Sequence, residues 1–388
     1  MINVKDLLQL PVTKDFSVVA GRNGLNNTIH SIEILDFEFT EGIQQVRGTA
    51  FSPHSIVLSS LLFANQEPKR LIDTIKKLIE LKVSALAYKP VIFKDLPSEV
   101  LIFANEQDFP ILRFGGDEFF EDVIYKVMNH INKKNHSLFL ENTMRRLIEE
   151  EVSAEQIKSF LQQMNKPFDK YVFVANIQMK QSEGSQWMHS FFQLDSFLKS
   201  GIICTFNQSI FILFTDKSQQ QFEKILKEWM RIYTIPTDAL TIGYSQVHQT
   251  MTELHLAVRE AYYACVMAKI ELRPICHYEQ LASERLLIEL YRKDFQFTNN
   301  YVEMYLGPLL EEQDLLDTAV TFVQKKGNVK EIAVTHYCHP NTIRYRMTKI
   351  RQLIEPFGNE LIFYEHLSAA VKLYLLHQTI NGTTNVLE

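Results

Sequence analysis

The stretch Asp314–Ile354, DLLDTAVTFVQKKGNVKEIAVTHYCHPNTIRYRMTKIRQLI, constrains this chain most, because three helical patterns follow one another with very short breaks. Leu315, Leu316, Ala319, Phe322 and Val323 recur at helical spacing. Gly327-Asn328 breaks the pattern just past two lysines, which suit a helix C-terminus. A short second helix carries Ile332 and Ala333, and Cys338-His339 form the next turn. Pro340 fits the first turn of a third helix, where its missing N–H costs nothing. That helix starts at about Asn341 and has an apolar stripe of Ile343, Met347, Ile350 and Ile354.

The face opposite the stripe holds Asn341, Thr342, Tyr345, Lys349 and Gln352, with Arg344 and Arg346 on its flanks. Such a set suits a helix that enters the DNA major groove. Asn and Gln can read adenine, Arg and Lys can read guanine, and flanking cations meet phosphate. Charge agrees. Lys325 to Gln352 holds seven Lys/Arg and one acid, Glu331, in a chain whose formal net charge is −6. A basic island in an acidic chain is a local nucleic-acid footprint. A plain basic surface helix is the bland alternative, and the combination of turn, stripe, polar face and charge weighs against it.

Cys338-His339-Pro340-Asn341-Thr342-Ile343-Arg344-Tyr345-Arg346-Met347 resembles the "hydrophobic-H-x-N-T-L/I-x-Y-R-L" core of the C-terminal helix-turn-helix in PucR/CdaR-type bacterial transcription regulators. The residues expected to bind DNA are therefore His339, Asn341, Thr342, Arg344, Tyr345, Arg346 and Lys349. Two positions depart from the pattern: His336 stands where a core Leu is usual, and Cys338 replaces Ile or Val. A histidine in that small core needs a hydrogen-bond partner, or a place at the rim.

The rest of the chain sets the frame. Its 388 residues predict two to three domains, and apolar and charged contents of 46% and 22% are ordinary for a globular protein. The cysteines, Cys204, Cys265, Cys276 and Cys338, have no metal-ligand spacing and suit a reducing cytoplasm. His336 and His339 lack a third ligand nearby, so neither a metal nor a cofactor is expected. No signal peptide or membrane span is read from the sequence.

Residues 1–120 alternate strand-like and helix-like patterns, an α/β arrangement. Strands are expected at Phe16–Ala20, Thr28–Asp36, Ser55–Ser60, Val83–Lys89 and Phe109–Arg113, and helices at Val4–Leu10, Pro68–Lys82 and Leu96–Gln107. The region resembles the N-terminal sensor domain of the same family. Residues 121–167 read as a helical connector, with the polar run Asn132–His136 as a break. Residues 168–278 form a second α/β unit, with a hairpin across Asn207-Gln208 and helices at Phe222–Tyr233 and Glu253–Lys269. Residues 279–313 are a helical linker that Gly307-Pro308 closes, and 314–388 are the DNA-binding domain, ending in a helix over Glu360–Gln378.

One motif points elsewhere. Arg113-Phe114-Gly115-Gly116-Asp117-Glu118-Phe119 spells the diguanylate cyclase signature. A cyclase needs the motif on a hairpin turn, with a metal-binding carboxylate on an upstream strand. Here no such carboxylate precedes it, and Phe120–Met128 has helical periodicity. Gly115-Gly116 then end a strand, and Asp117-Glu118 start a helix. The middle unit resembles the family's degenerate GGDEF-like domain. Asn176-Ile177-Gln178 and Phe206-Asn207-Gln208-Ser209 stand where a cyclase has its D-x-D and its signature turn, and amides cannot supply the charge that holds Mg²⁺ against a triphosphate.

The expected fold class is multidomain: two α/β domains followed by an all-α helix-turn-helix domain. The expected function is that of a cytoplasmic, non-enzymatic regulator of a nitrogen, purine or amino-acid pathway. Its expected partners are double-stranded promoter DNA, a small-molecule effector and a second copy of the chain. The alternative is a cyclase using Gly115–Phe119.

Overall fold

The computed structural model describes residues 2–35, 51–65, 67–114, 119–164, 168–179, 201–217, 222–232, 235, 239–355 and 359–384. Two compact units divide the chain, Met1–Phe139 and Leu140–Glu388.

The first unit is built on strands and helices in alternation. In order they are β1 (Ile2–Asn3), α1 (Val4–Leu7), β2 (Phe16–Ala20), β3 (Thr28–Ile29), β4 (Ser31–Ile34), β5 (Ser55–Ser59), α2 (Arg70–Glu80), β6 (Ala85–Tyr88), α3 (Ser98–Glu106), β7 (Ile111–Phe114) and α4 (Phe120–Glu149). The sheet order is β2-β7-β6-β5-β4, with β4 to β7 parallel and β2 antiparallel at the edge. β5 explains why the sheet needs cover on both sides. Its five residues are all buried, and they alternate between two cores. Val57 packs with Leu71, Ile75 and Leu78 of α2 and Val100 of α3. Ile56 and Leu58 pack with Phe114 and with Val123, Val127 and Ile131 of α4.

Gly21 lets the chain turn from β2 close against the end of α3. Its φ is 67°, and a Cβ there would stand 2.0 Å from the Phe109 carbonyl oxygen. Its N–H donates to Asn105 Oδ1 at 2.7 Å.

Asn132–His136 does not interrupt α4, which is continuous over Phe120–Glu149. A polar turn exposes side chains but removes no backbone hydrogen bond, and neither Gly nor Pro occurs in the helix. Gly115–Glu118, the heart of the cyclase-like motif, lie outside the described residues. The flanks are helical on one side and strand on the other: β7 pairs with β6 and β2, and the chain after the motif is α4, not a hairpin strand.

The second unit begins with the rest of α4 and with α5 (Ala154–Met164). It continues through β8 (Tyr171–Met179), β9 (Gly201–Phe206), β10 (Ser209–Asp216), α6 (Phe222–Ile232), β11 (Leu240–Tyr244), α7 (Leu254–Ile270) and β12 (Ile275–His277). The sheet order is β12-β11-β8-β10-β9. β9 and β10 form the expected hairpin, in which Asn207 and Gln208 have φ of 45° and 60°. Positive φ at both turn residues matches the right-handed twist of the strands. α6 covers one face through Phe222, Leu226 and Trp229. α7 crosses β11 so closely that a Cβ on Gly243 would meet the Cys265 backbone nitrogen at 2.1 Å. Arg259 of α7, 6% exposed, satisfies the last carbonyls of α4 by donating to Leu147 O and Glu150 O. It also reaches the Glu151 carboxylate at 3.0 Å, and Arg292 joins the same carboxylate at 2.9 Å.

The remaining chain is helical: α8 (Ser283–Lys293), α9 (Phe295–Leu310), α10 (Gln313–Gln324), α11 (Val329–Thr335), α12 (Pro340–Ile354) and α13 (Glu360–Thr384). Gly307-Pro308, expected as the stop before the DNA-binding unit, lies inside α9. Leu306 and Leu309 on either side are fully buried, and their packing outweighs the local breaking tendency. α13 closes the core of this part. Phe363, Leu367, Ala370 and Val371 pack with Leu315, Leu316, Ile332, Ile343 and Ile350.

Candidate nucleic-acid interface

Two chain reversals of the same design present α12. At the end of α10, Lys326 adopts φ 51°, and Gly327 N–H donates to Phe322 O at 2.9 Å. At the end of α11, Tyr337 adopts φ 49°, and Cys338 N–H donates to Ala333 O at 3.0 Å. Both are left-handed caps that satisfy the last carbonyls of a helix and turn the chain sharply. Asn328 then caps α11 through Glu331, and His339 caps α12, its Nδ1 accepting from Asn341 N–H at 3.2 Å. Pro340 is the first residue of α12, as its chemistry predicts.

α12 turns Ile343, Met347 and Ile350 inward, at 0%, 8% and 0% exposure. Asn341, Arg344, Tyr345, Thr348 and Gln352 are exposed and Thr342 is half-buried. Arg344 Nη1 donates to Asn341 Oδ1 at 2.7 Å, so the two side chains are paired one turn apart on the outer face. Polar donors and acceptors thus stand at the N-terminal end of the helix, the part that reaches base edges when a recognition helix enters the major groove.

The other two expected cations have different surroundings. Arg346 is 21% exposed at its side chain, pairs with Asp314 Oδ2 at 2.7 Å and donates to Thr318 Oγ1 at 3.3 Å. Lys349 pairs with Glu312. Both acids lie at the start of α10 or just before it, so these cations hold α12 to α10. His339 is likewise engaged as the cap. Of the seven expected residues, the structure brings Asn341, Thr342, Arg344 and Tyr345 together on the outer face, and gives His339, Arg346 and Lys349 partners within the domain.

His336 is resolved as a rim residue. It is half-buried, and its Nε2 lies 3.0 Å from Thr321 Oγ1 of α10. That hydroxyl supplies the partner a histidine needs at a position that otherwise suits Leu. Tyr337 is a residue the sequence pattern did not mark. It is 97% exposed at the turn before α12, in a backbone conformation that favours Gly or Asn. A large exposed side chain kept at such a place is a candidate contact.

The middle sheet offers no charged counterpart to a nucleotide site at the positions that differ from cyclases. Asn176 is 1% exposed with both amide atoms lacking a hydrogen-bond partner, and Gln178 donates to Ser209 Oγ at 2.7 Å. Among the described residues, no cluster of three His, Cys, Asp or Glu is arranged to hold a metal ion. Among the same residues, no helix is long and apolar enough to cross a membrane.

Comparison with known proteins agrees with this geometry at both ends of the chain. Residues 6–131 match the purine catabolism regulatory protein-like (PucR) family, and residues 315–359 match the PucR C-terminal helix-turn-helix domain. A solved structure, the regulator of polyketide synthase expression from Bifidobacterium adolescentis, is similar over 61% of this chain and 97% of that one, at 16% identity and a TM-score of 0.31. No curated protein matches the chain. The chain therefore carries a PucR-type N-terminal domain and a PucR-type helix-turn-helix, and both matches support a DNA-binding transcription regulator.

Proposed function

We propose that this PucR-type regulator binds double-stranded promoter DNA with the outer face of α12, and that a small-molecule effector controls the binding. The exposed pair Asn341–Arg344 at the N-terminal end of α12 carries the reading. Asn341 and Tyr345 would read base edges, and Thr342 and Arg344 would meet the backbone or guanine. His339, Arg346 and Lys349 would act mainly by fixing the helix, because each already has a partner in the domain.

The N-terminal α/β unit would bind the effector, a metabolite of a nitrogen, purine or amino-acid pathway. The middle unit would serve assembly, consistent with amides where a cyclase has carboxylates. Two copies would present two recognition helices to paired half-sites in the cytoplasm. Control then requires that the effector favour one arrangement of the two readers over another.

The test is retardation of a labelled fragment from the region upstream of the chain's own gene, at low salt. Retardation that Arg344→Ala weakens at every salt concentration supports the proposal. Failure to retard that fragment or any genomic fragment contradicts it.

A further inference from the structure

Within the second unit, a cavity of about 700 Å³ lies between the middle sheet's last elements and the helix-turn-helix. One wall is the end of α7 and the start of α8, including Glu271, Arg273 and Glu284. The other is the end of α10 and the middle of α13, including Phe322, Lys326 and Tyr364. Two ties bridge the walls and leave the space between them unfilled: Gln324 Nε2 donates to Ile270 O at 2.9 Å, and Lys372 pairs with Glu284 at 2.5 Å. The volume is that of a metabolite site rather than a packing gap.

The lining decides the chemistry. Two of its three cations are matched, Arg273 to Glu271 at 2.7 Å and Lys372 to Glu284. Lys326 has no acid partner among the described residues, so the cavity holds one cation in excess. Phe322 and Tyr364 stack at 5.4 Å with an 8° interplanar angle and give the wall a flat apolar surface. Excess positive charge beside paired rings suits a flat anion.

We propose that this cavity binds a small planar organic anion, an aromatic or heteroaromatic carboxylate, and that its occupancy acts on the recognition helix through α10. The link is short. The end of α10 lines the cavity, and the same helix supplies Asp314 and Thr318 to Arg346 and Thr321 to His336. A shift of α10 therefore reaches both anchors of the reader. This site is separate from the effector site assigned above to the N-terminal unit, and only the coupling to DNA rests on the regulator reading.

Thermal unfolding of the full chain with salicylate, nicotinate and indole-3-carboxylate tests it. Salicylamide and nicotinamide are the uncharged counterparts, and acetate is the anion without a ring. At about tenfold excess over its Kd, a fitting carboxylate raises Tm by roughly 3 °C. Arg273→Met, Lys326→Gln and the cavity-filling Ser368→Phe should each reduce that rise at least twofold. A carboxylate-specific rise lost in these variants supports the proposal. No rise with any of the three carboxylates, an equal rise with the amides, or a rise that survives all three substitutions overturns it. The readout needs no DNA, so a chain that shows the rise but fails to bind DNA would sink the regulator reading and leave this site standing.

Discussion

The outer face of α12 and its flank toward α10 both carry cations and put them to different use. Arg344 and Arg346 are two positions apart, about 200° around the helix. Arg344 is exposed and its guanidinium donates to Asn341, whereas Arg346 is half-buried and bonded to Asp314 and Thr318. Read as sequence, both are flanking cations of a recognition helix. On the proposal above, the outer face reads DNA and the flank toward α10 holds the reader in position. A cation's role in such a helix is set by the acids that the neighbouring helix brings against it, not by its own type.

That contrast can be broken in graded ways. The largest effect is expected from Asn341→Ala, which should cost roughly 1–3 kcal/mol of discrimination at one base pair while leaving unfolding unchanged. Competition among operator variants measures it, and Tyr345→Phe should shift preference in the same assay by less. Arg344→Ala comes next, with affinity about tenfold lower for all sequences and no change in Tm. Arg346→Ala should do the reverse. It lowers stability by roughly 0.5–1 kcal/mol, since it removes an ion pair whose acid is exposed and a hydrogen bond to Thr318, and a double-mutant cycle with Asp314→Asn should show that the two residues share that loss. Tyr337→Gly should raise stability by roughly 0.5–1 kcal/mol, because glycine accepts the left-handed turn, and should weaken DNA binding if the phenol is a contact.

The smallest effect is a control away from α12. His377 is 8% exposed, lies 3.2 Å from Thr298 Oγ1 and stacks on Phe295, and burial pulls its pKa below the ordinary histidine value. Its contribution is fully present above about pH 6.5 and is lost as pH falls through the depressed folded value. His248 runs the other way. Burial opposes its charge, but Glu260 and Glu253 outweigh burial and raise its pKa, so its contribution is present at low pH and lost as pH rises through the folded value. Denaturant titrations between pH 5 and 7 should show His377→Gln less acid-sensitive than the parent by roughly 1 kcal/mol or less.

Local chemistry was legible where one element decides its own conformation. The buried strand at Ser55–Ser59, the amphipathic helix at Arg70–Glu80, the Asn207-Gln208 hairpin and the stripe of α12 follow from periodicity and turn residues. The failures lie where packing or distant partners decide. Gly307-Pro308 reads as a stop until Leu306 and Leu309 are seen to bury the last turn of α9. Asn132–His136 reads as a break, yet a helix tolerates a polar turn. Arg346 finds its partner 32 residues away, and no local pattern announces it. Gly243 gives no turn signal either; its reason is the helix that presses on it.

The salt dependence of DNA affinity for the parent, Arg344→Ala and Arg346→Ala tests the division of α12 most directly. The slope of log affinity against log salt should fall by about one for Arg344→Ala and stay unchanged for Arg346→Ala, measured well below each variant's Tm. Equal slopes for the parent and Arg344→Ala, with a reduced slope for Arg346→Ala, would contradict the account.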